Sequence, residues 1–135
     1  MPMVLYTVQG KEQDYRKVYP IKEQETGVFS FTIRDEDGVV IPASQLTAVL
    51  FTVYVPTSGA IVNTRNAQNV LNQNNVTISE AGVVAWTQQI ADVTILDDTL
   101  EMETHRCLFL FTWQGGARSK PYEVDFELEN LAKLV

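Results

Sequence analysis

"RCLFLFTWQGGARSKPYEVDFEL", residues 106–128, decides the fold class of this chain. Its first eight residues, Arg106 to Trp113, carry the strongest strand signal in the sequence: a short apolar run rich in aromatics. Gly115-Gly116 breaks the run, and Tyr122 to Leu128 returns. In the return, Tyr122, Val124, Phe126 and Leu128 share one face, and Glu123, Asp125, Glu127 and Glu129 share the other. This spacing predicts a hairpin with a loop of several residues, one face on a core and the acidic face in water.

The same period of two extends outward. Val28 to Arg34 puts Phe29, Phe31 and Ile33 on one face and Ser30, Thr32 and Arg34 on the other. Ala48 to Val55 aligns Val49, Phe51, Val53 and Val55; Leu50 and Tyr54 lie opposite, which predicts a central strand covered on both faces. Pro56 to Gly59 marks a turn, with Ala60 to Asn63 as a short return strand. "VTIS" at 76–79 and "VVAWT" at 83–87 flank the turn Glu80-Ala81-Gly82. Helical periodicity is scarce, with one short turn expected near Ile90 to Leu96. About seven or eight strands without βαβ spacing predict an all-β, single antiparallel immunoglobulin-like sandwich, with a small β-barrel as the alternative.

The expected division is an N-terminal strand or arm over residues 1–26, a sandwich over 27–129 and an apolar tail over 130–135. Within the sandwich, "NTRNAQNVLNQNN" at 63–75 spaces Asn63, Asn66, Asn69 and Asn72 three apart. The spacing is too short-lived for a solenoid and predicts a long polar loop with Val70 and Leu71 tucked down.

The chain has 135 residues, 45% hydrophobic and 20% charged, which fits one globular domain. A net charge of -7 disfavours a broad nucleic-acid surface. The single cysteine, Cys107, excludes an internal disulfide. The start of the chain lacks a signal-peptide pattern, and no apolar stretch is long enough to span a bilayer. The expectation is a protein made in a cytoplasm, with no membrane partner.

Three groups invite a chemical interpretation. "FTIRDEDGVVIP" at 31–42 clusters Asp35, Glu36 and Asp37. A calcium loop needs six or more spaced oxygens, and here the glycine comes too early and no acid follows until Glu80. A type I turn with Gly38 at positive φ is expected instead. The acidic ladder Glu123, Asp125, Glu127, Glu129 is expected to be a solvated face, or a contact for a basic partner. His105 shares a strand face with Glu101, Glu103 and Cys107. One His and one Cys are too few for a zinc centre, and no oxyanion motif accompanies them. A structural histidine beside a buried cysteine is expected. There is no nucleophile elbow, phosphate loop or dinucleotide fingerprint. The expectation is therefore no enzyme, with no catalytic, cofactor or metal residues. Trp86 and Trp113 would serve a glycan or host-receptor module only if exposed.

The series "GVFSFTIRDEDGVVIP", "LTAVLFTVYVPTSGAIV", "VTISEAGVVAWT" and "RCLFLFTWQGGARSKPYEVDFEL" resembles the immunoglobulin-like domains of tailed-phage virion proteins. These include the N-terminal domain of baseplate upper proteins and related head or tail accessory proteins. The resemblance covers about residues 27–129. It implies a virion building block that binds other virion structural proteins, as a homo-oligomer in the particle. The longer polar arm, the Asn-rich insertion and the lack of a downstream domain suggest a small stand-alone accessory protein, on the capsid or at the head–tail or tail junction. Contact residues are expected in the tails: Tyr6, Tyr15 and Tyr19 as aromatic anchors, and Leu131, Leu134 and Val135 as an apolar end.

Overall fold

The computed structural model describes residues 18–35, 37–114, 117–118 and 122–133. Tyr6, Tyr15, Leu134 and Val135 lie outside them, as do residues 1–17 of the expected N-terminal strand or arm. The described strands are β1 (Val18–Lys22), β2 (Val28–Thr32), β3 (Leu46–Tyr54), β4 (Gln68–Asn69), β5 (Val76–Ile78), β6 (Val83–Thr87), β7 (Met102–Trp113), β8 (Ala117–Arg118) and β9 (Tyr122–Glu129). They form two sheets. One runs β1-β9-β7-β3-β4, with β8 on β7; the other runs β2-β6-β5. No strand is shared between the two, so the chain is a sandwich and not a closed barrel. The strand order is that of an immunoglobulin fold, in which three central strands of one sheet face a B-E-D-like sheet.

All strand pairs but one are antiparallel. β1 runs parallel to β9, with Val18 opposite Asp125 and Lys22 opposite Glu129. That pairing departs from the fully antiparallel expectation. β1, "VYPIK", has little alternation to reveal it, and its Pro20 is tolerated because β1 is an edge strand. The strand number exceeds the expected seven or eight because β4 and β8 are two-residue pairings that have no periodicity. The expected strand Ala60 to Asn63 is reduced to one bridge, Tyr54 to Ile61.

The inner faces interdigitate through aromatics. Within the large sheet Phe51 stacks on its register partner Phe109 at 4.1 Å between ring centroids, and across the interface Phe31 stacks on Tyr122 at 5.1 Å. Trp86 of the small sheet meets Phe51 and Phe126 of the large one edge-on, at 4.9 and 5.9 Å. The face assignments of β2, β3, β7 and β9 follow from alternation: Phe29, Phe31, Val49, Phe51, Val53, Phe109, Phe111, Tyr122, Phe126 and Leu128 are all buried. Two expectations change. β3 is covered on one face only, since Leu50 and Tyr54 are half-exposed on the outside of the large sheet. Ser30 is buried although it lies opposite the two phenylalanines of β2.

The stretch 31–42 is a turn. Asp35 Oδ1 accepts the N–H groups of Asp37 and Val39, both at 2.9 Å. Gly38 lies at φ +81°, and Arg34 Nη1 donates to the Gly38 carbonyl. Asp35 thus spends its acceptor capacity on its own backbone, as an Asx turn does. The return from this turn is not a strand: only Arg34 and Val40 bridge.

Gly82, at φ +74°, marks a close approach. A side chain there would meet Val40 Cγ1 and come within 2.9 Å of the Ile41 carbonyl. This packs the 79–82 turn onto the 39–41 segment.

Candidate docking surface and its buried support

One end of the sandwich gathers the 88–101 connection, the 22–27 link, the 55–75 loops and the residues after β9. Its order rests on two buried carboxylates, Asp92, which the sequence did not single out, and Glu103, whose role as an anchor for loop amides it did not reveal. Asp92 lies within the 3₁₀ turn of this connection, Ile90–Val93, where a short turn was expected. Its Oδ1 accepts Arg65 Nε at 2.6 Å and Asn63 Nδ2 at 3.0 Å. Its Oδ2 accepts Arg65 Nη2 at 3.2 Å and the Gln89 N–H at 2.8 Å. Arg65 Nη1 reaches Gln68 Oε1 and the Asn74 carbonyl. The guanidinium also lies 5.2 Å from the Phe51 ring centroid. Arg65 and Asp92 are both wholly buried.

The bidentate geometry satisfies both charges where burial removes them from solvent. It also joins the Asn-rich loop to the 88–94 connection. The loop adopts left-handed backbone at Asn63, Thr64, Ala67, Asn72, Asn74 and Asn75, a conformation in which Asn is enriched. As expected, Val70 is buried and Leu71 is half-buried.

Glu103 organises the next stretch. Its Oε1 accepts the Leu96 N–H at 2.8 Å, and its Oε2 accepts the Asp97 N–H at 2.9 Å. Glu23 Oε2 accepts the neighbouring Ile95 N–H at 3.0 Å. Three successive amides are therefore held by two carboxylates of other segments. Asp97 Oδ1 then accepts the hydroxyl and N–H of Thr99, and those bonds hold its carboxyl below the usual range.

His105 is structural, as expected. Its Nδ1 lies 3.1 Å from the Asp92 carbonyl oxygen, which can only accept, so this nitrogen carries a proton. Its Nε2 lies 2.7 Å from Glu103 Oε1, within hydrogen-bonding distance. Glu103, His105 and Cys107 face inward together, whereas Glu101 is exposed. Among the described residues no group of three His, Cys, Asp or Glu side chains could hold a metal ion.

Burial pushes the Cys107 thiol well above its ordinary value, aided by the charges of Asp92 and Asp125. Burial likewise pushes the Tyr122 phenol up. Both groups keep their protons in the folded state at pH values where the unfolded chain ionises. Stability is therefore expected to be unaffected below the ordinary thiol value of 9.0 and to fall as pH rises above it. Denaturant midpoints at about pH 8 and about pH 10.5 would measure the loss. Iodoacetamide labelling of Cys107 should be negligible in the native protein and complete in denaturant.

The acidic ladder is only partly solvated. Asp125 is buried, because Arg106 lies opposite it in register and bonds both its oxygens, at 3.0 and 3.3 Å. That pairing raises the Arg106 pKa further. Glu129 forms an exposed pair with Lys22 across the parallel β1–β9 edge, at 3.5 Å.

Asn130 closes this end. It is buried, and its Nδ2 donates to the carbonyls of Asp98 and Leu100, while its Oδ1 accepts the Ala132 N–H. Leu131, in the 3₁₀ turn Leu131–Lys133, is 40% exposed. Tyr19 is in β1; its backbone pairs with Phe126. Trp86 is buried at 1% exposure, so it is not a surface aromatic, and Trp113 is half-buried. No helix among the described residues is long and apolar enough to cross a membrane.

No protein-family model matches this chain, and no curated protein does. Among solved structures it is similar to the N-terminal domain of phage TP901-1 ORF48, with a TM-score of 0.50 and 11% identity, covering 96% of this chain and 99% of that one. At that identity the likeness speaks for the fold.

Proposed function

We propose that this chain is a structural protein of a bacteriophage particle, which binds other virion proteins through protein–protein contacts and performs no catalysis. The observation that carries this reading is the match of fold along the full length of both chains to a domain of a phage protein. The surface is consistent with it. The titratable groups that pattern-matching would choose for chemistry, Glu103, His105 and Cys107, are buried and committed to the fold.

In this reading the sandwich is a building block of the capsid, the head–tail junction or the tail and baseplate. Residues 1–17 and 130–135 flank it as contact arms, with Tyr6, Tyr15, Leu131, Leu134 and Val135 as their anchors and Tyr19 beside them on the sheet's own strand β1. The protein acts as a homo-oligomer in the virion, where many weak contacts sum to firm attachment.

The test is mass spectrometry of particles purified from the phage or prophage that encodes the chain. The protein is expected in the particles at a fixed stoichiometry to the major virion proteins. Its absence from particles, with the protein recovered only free in the host cell, would overturn the proposal.

A further inference from the structure

The segments at the end of the sandwich described above carry six exposed large apolar residues, Ile61, Ile90, Leu96, Leu100, Met102 and Leu131; the last four, exposed by 49, 39, 45 and 40%, sit on backbone tied to Glu103 and Asn130. Backbone bonds fix their neighbourhood. Met102 lies in the β7–β9 register opposite Glu129, two residues before Leu131. Asn130 ties that turn to the carbonyls of Asp98, Leu100 and Glu101. Leu96 is fixed through its N–H on buried Glu103.

Single exposed apolar residues need no explanation. Four on one end are different, because the segments that present them are not loose. Ile95, Leu96 and Asp97 donate to buried or part-buried carboxylates, and Leu100 and Leu131 flank the Asn130 anchor. A surface ordered before binding loses less entropy when it docks.

The charge interleaved with Leu96, Leu100 and Met102 is acidic; of the nearby lysines, Lys22 is engaged with Glu129 and Lys133 follows Leu131 in its 3₁₀ turn. Exposed Asp97, Asp98 and Glu101 alternate along the chain with Leu96, Leu100 and Met102. The chain as a whole carries -7. A second copy placed face to face would set these carboxylates against their own kind, which like-charge repulsion opposes.

We infer that this end of the sandwich is the docking face, and that its occupant is a different protein presenting an apolar socket edged by lysine or arginine. The inference rests on the virion reading and names the surface and partner chemistry within it. The four apolar groups supply burial, and the three carboxylates supply register and salt sensitivity.

The experiment replaces the chain in assembling particles by three variants. Leu100→Ser/Met102→Ser removes apolar surface. Asp98→Lys/Glu101→Lys reverses two of the three carboxylates, chosen over Asp97 because Asp97 bonds Thr99 within the loop. Val39→Ser alters an exposed apolar residue at the opposite end. Thermal unfolding of each variant checks the fold, and copy number per particle is counted by quantitative mass spectrometry.

Both double variants are expected to unfold like the wild type and to fall in copy number by about tenfold or more. Val39→Ser is expected at wild-type level. Normal incorporation of the folded apolar variant would overturn the docking face while leaving the virion role intact. Loss with the apolar variant but not with charge reversal would overturn the basic-edged partner. Sedimentation in which wild type self-associates and the double variants do not would assign the face to a second copy and overturn the inference. Absence of the wild type from particles would instead overturn the functional reading, and this inference with it.

Discussion

Asp92→Ala is expected to destabilise the protein by about 3–5 kcal/mol, the usual cost of removing one partner of a buried ion pair. The size follows from what is left behind. Arg65 is 1% exposed and would keep its charge with two donors, Nε and Nη2, facing an apolar gap. The Gln89 N–H would lose its acceptor as well, and Asn63 Nδ2 would keep only Gln89 Oε1. Arg65→Met/Asp92→Leu is expected to recover part of the loss, because no charge is then stranded. Recovery should be incomplete: the Asn74 carbonyl and the Gln89 amide still lack their partners. Urea unfolding of the wild type, both single variants and the double variant gives the coupling directly. A single-variant loss below about 1 kcal/mol would mean the pair is exchanged readily for water.

The second large effect is expected at Trp86→Ala, again about 3–5 kcal/mol. Trp86 is the largest fully buried side chain, and its ring touches aromatics on both sheets: Phe29 beside it, and Phe51 and Phe126 across the interface. Truncation removes contacts on both sides of the sandwich. Phe51 and Phe126 lie on different strands of a hydrogen-bonded sheet, so collapse onto the gap is limited. Tryptophan fluorescence would then report only the half-buried Trp113, while denaturant unfolding gives the stability. A variant as stable as the wild type would show that the two sheets can repack around the void.

The sandwich was legible in the sequence wherever a period of two met aromatic or β-branched residues. β2, β3, β6, β7 and β9 were all visible for that reason, as was the Asp35–Gly38 turn, whose residue types dictate its backbone. β1 was not, because a five-residue edge strand with a central proline and a terminal lysine carries little alternation. The Arg65–Asp92 clasp was invisible for a different reason. Its two halves are 27 residues apart, on irregular segments, and neither segment has a period that would announce burial. A lone arginine in an Asn-rich stretch looks like solvent-facing polarity until the fold brings a carboxylate to it. Asp125 was misread by the opposite route: its alternation is real, but register places Arg106 beside it and takes it out of water. Glu103 and His105 were placed on the correct face, and only the fold reveals that the pair holds loop amides in place.

The parallel pairing of β1 with β9 has a mechanical consequence. Tension applied at the entrance to β1 and the exit from β9 pulls the two strands in opposite directions along their length. The five register pairs from Val18–Asp125 to Lys22–Glu129 are then loaded together, in shear. An antiparallel pair pulled from adjacent ends would open one bond at a time. A module tethered through both flanks therefore meets force with a whole ladder of hydrogen bonds at once, a geometry suited to a joint under load.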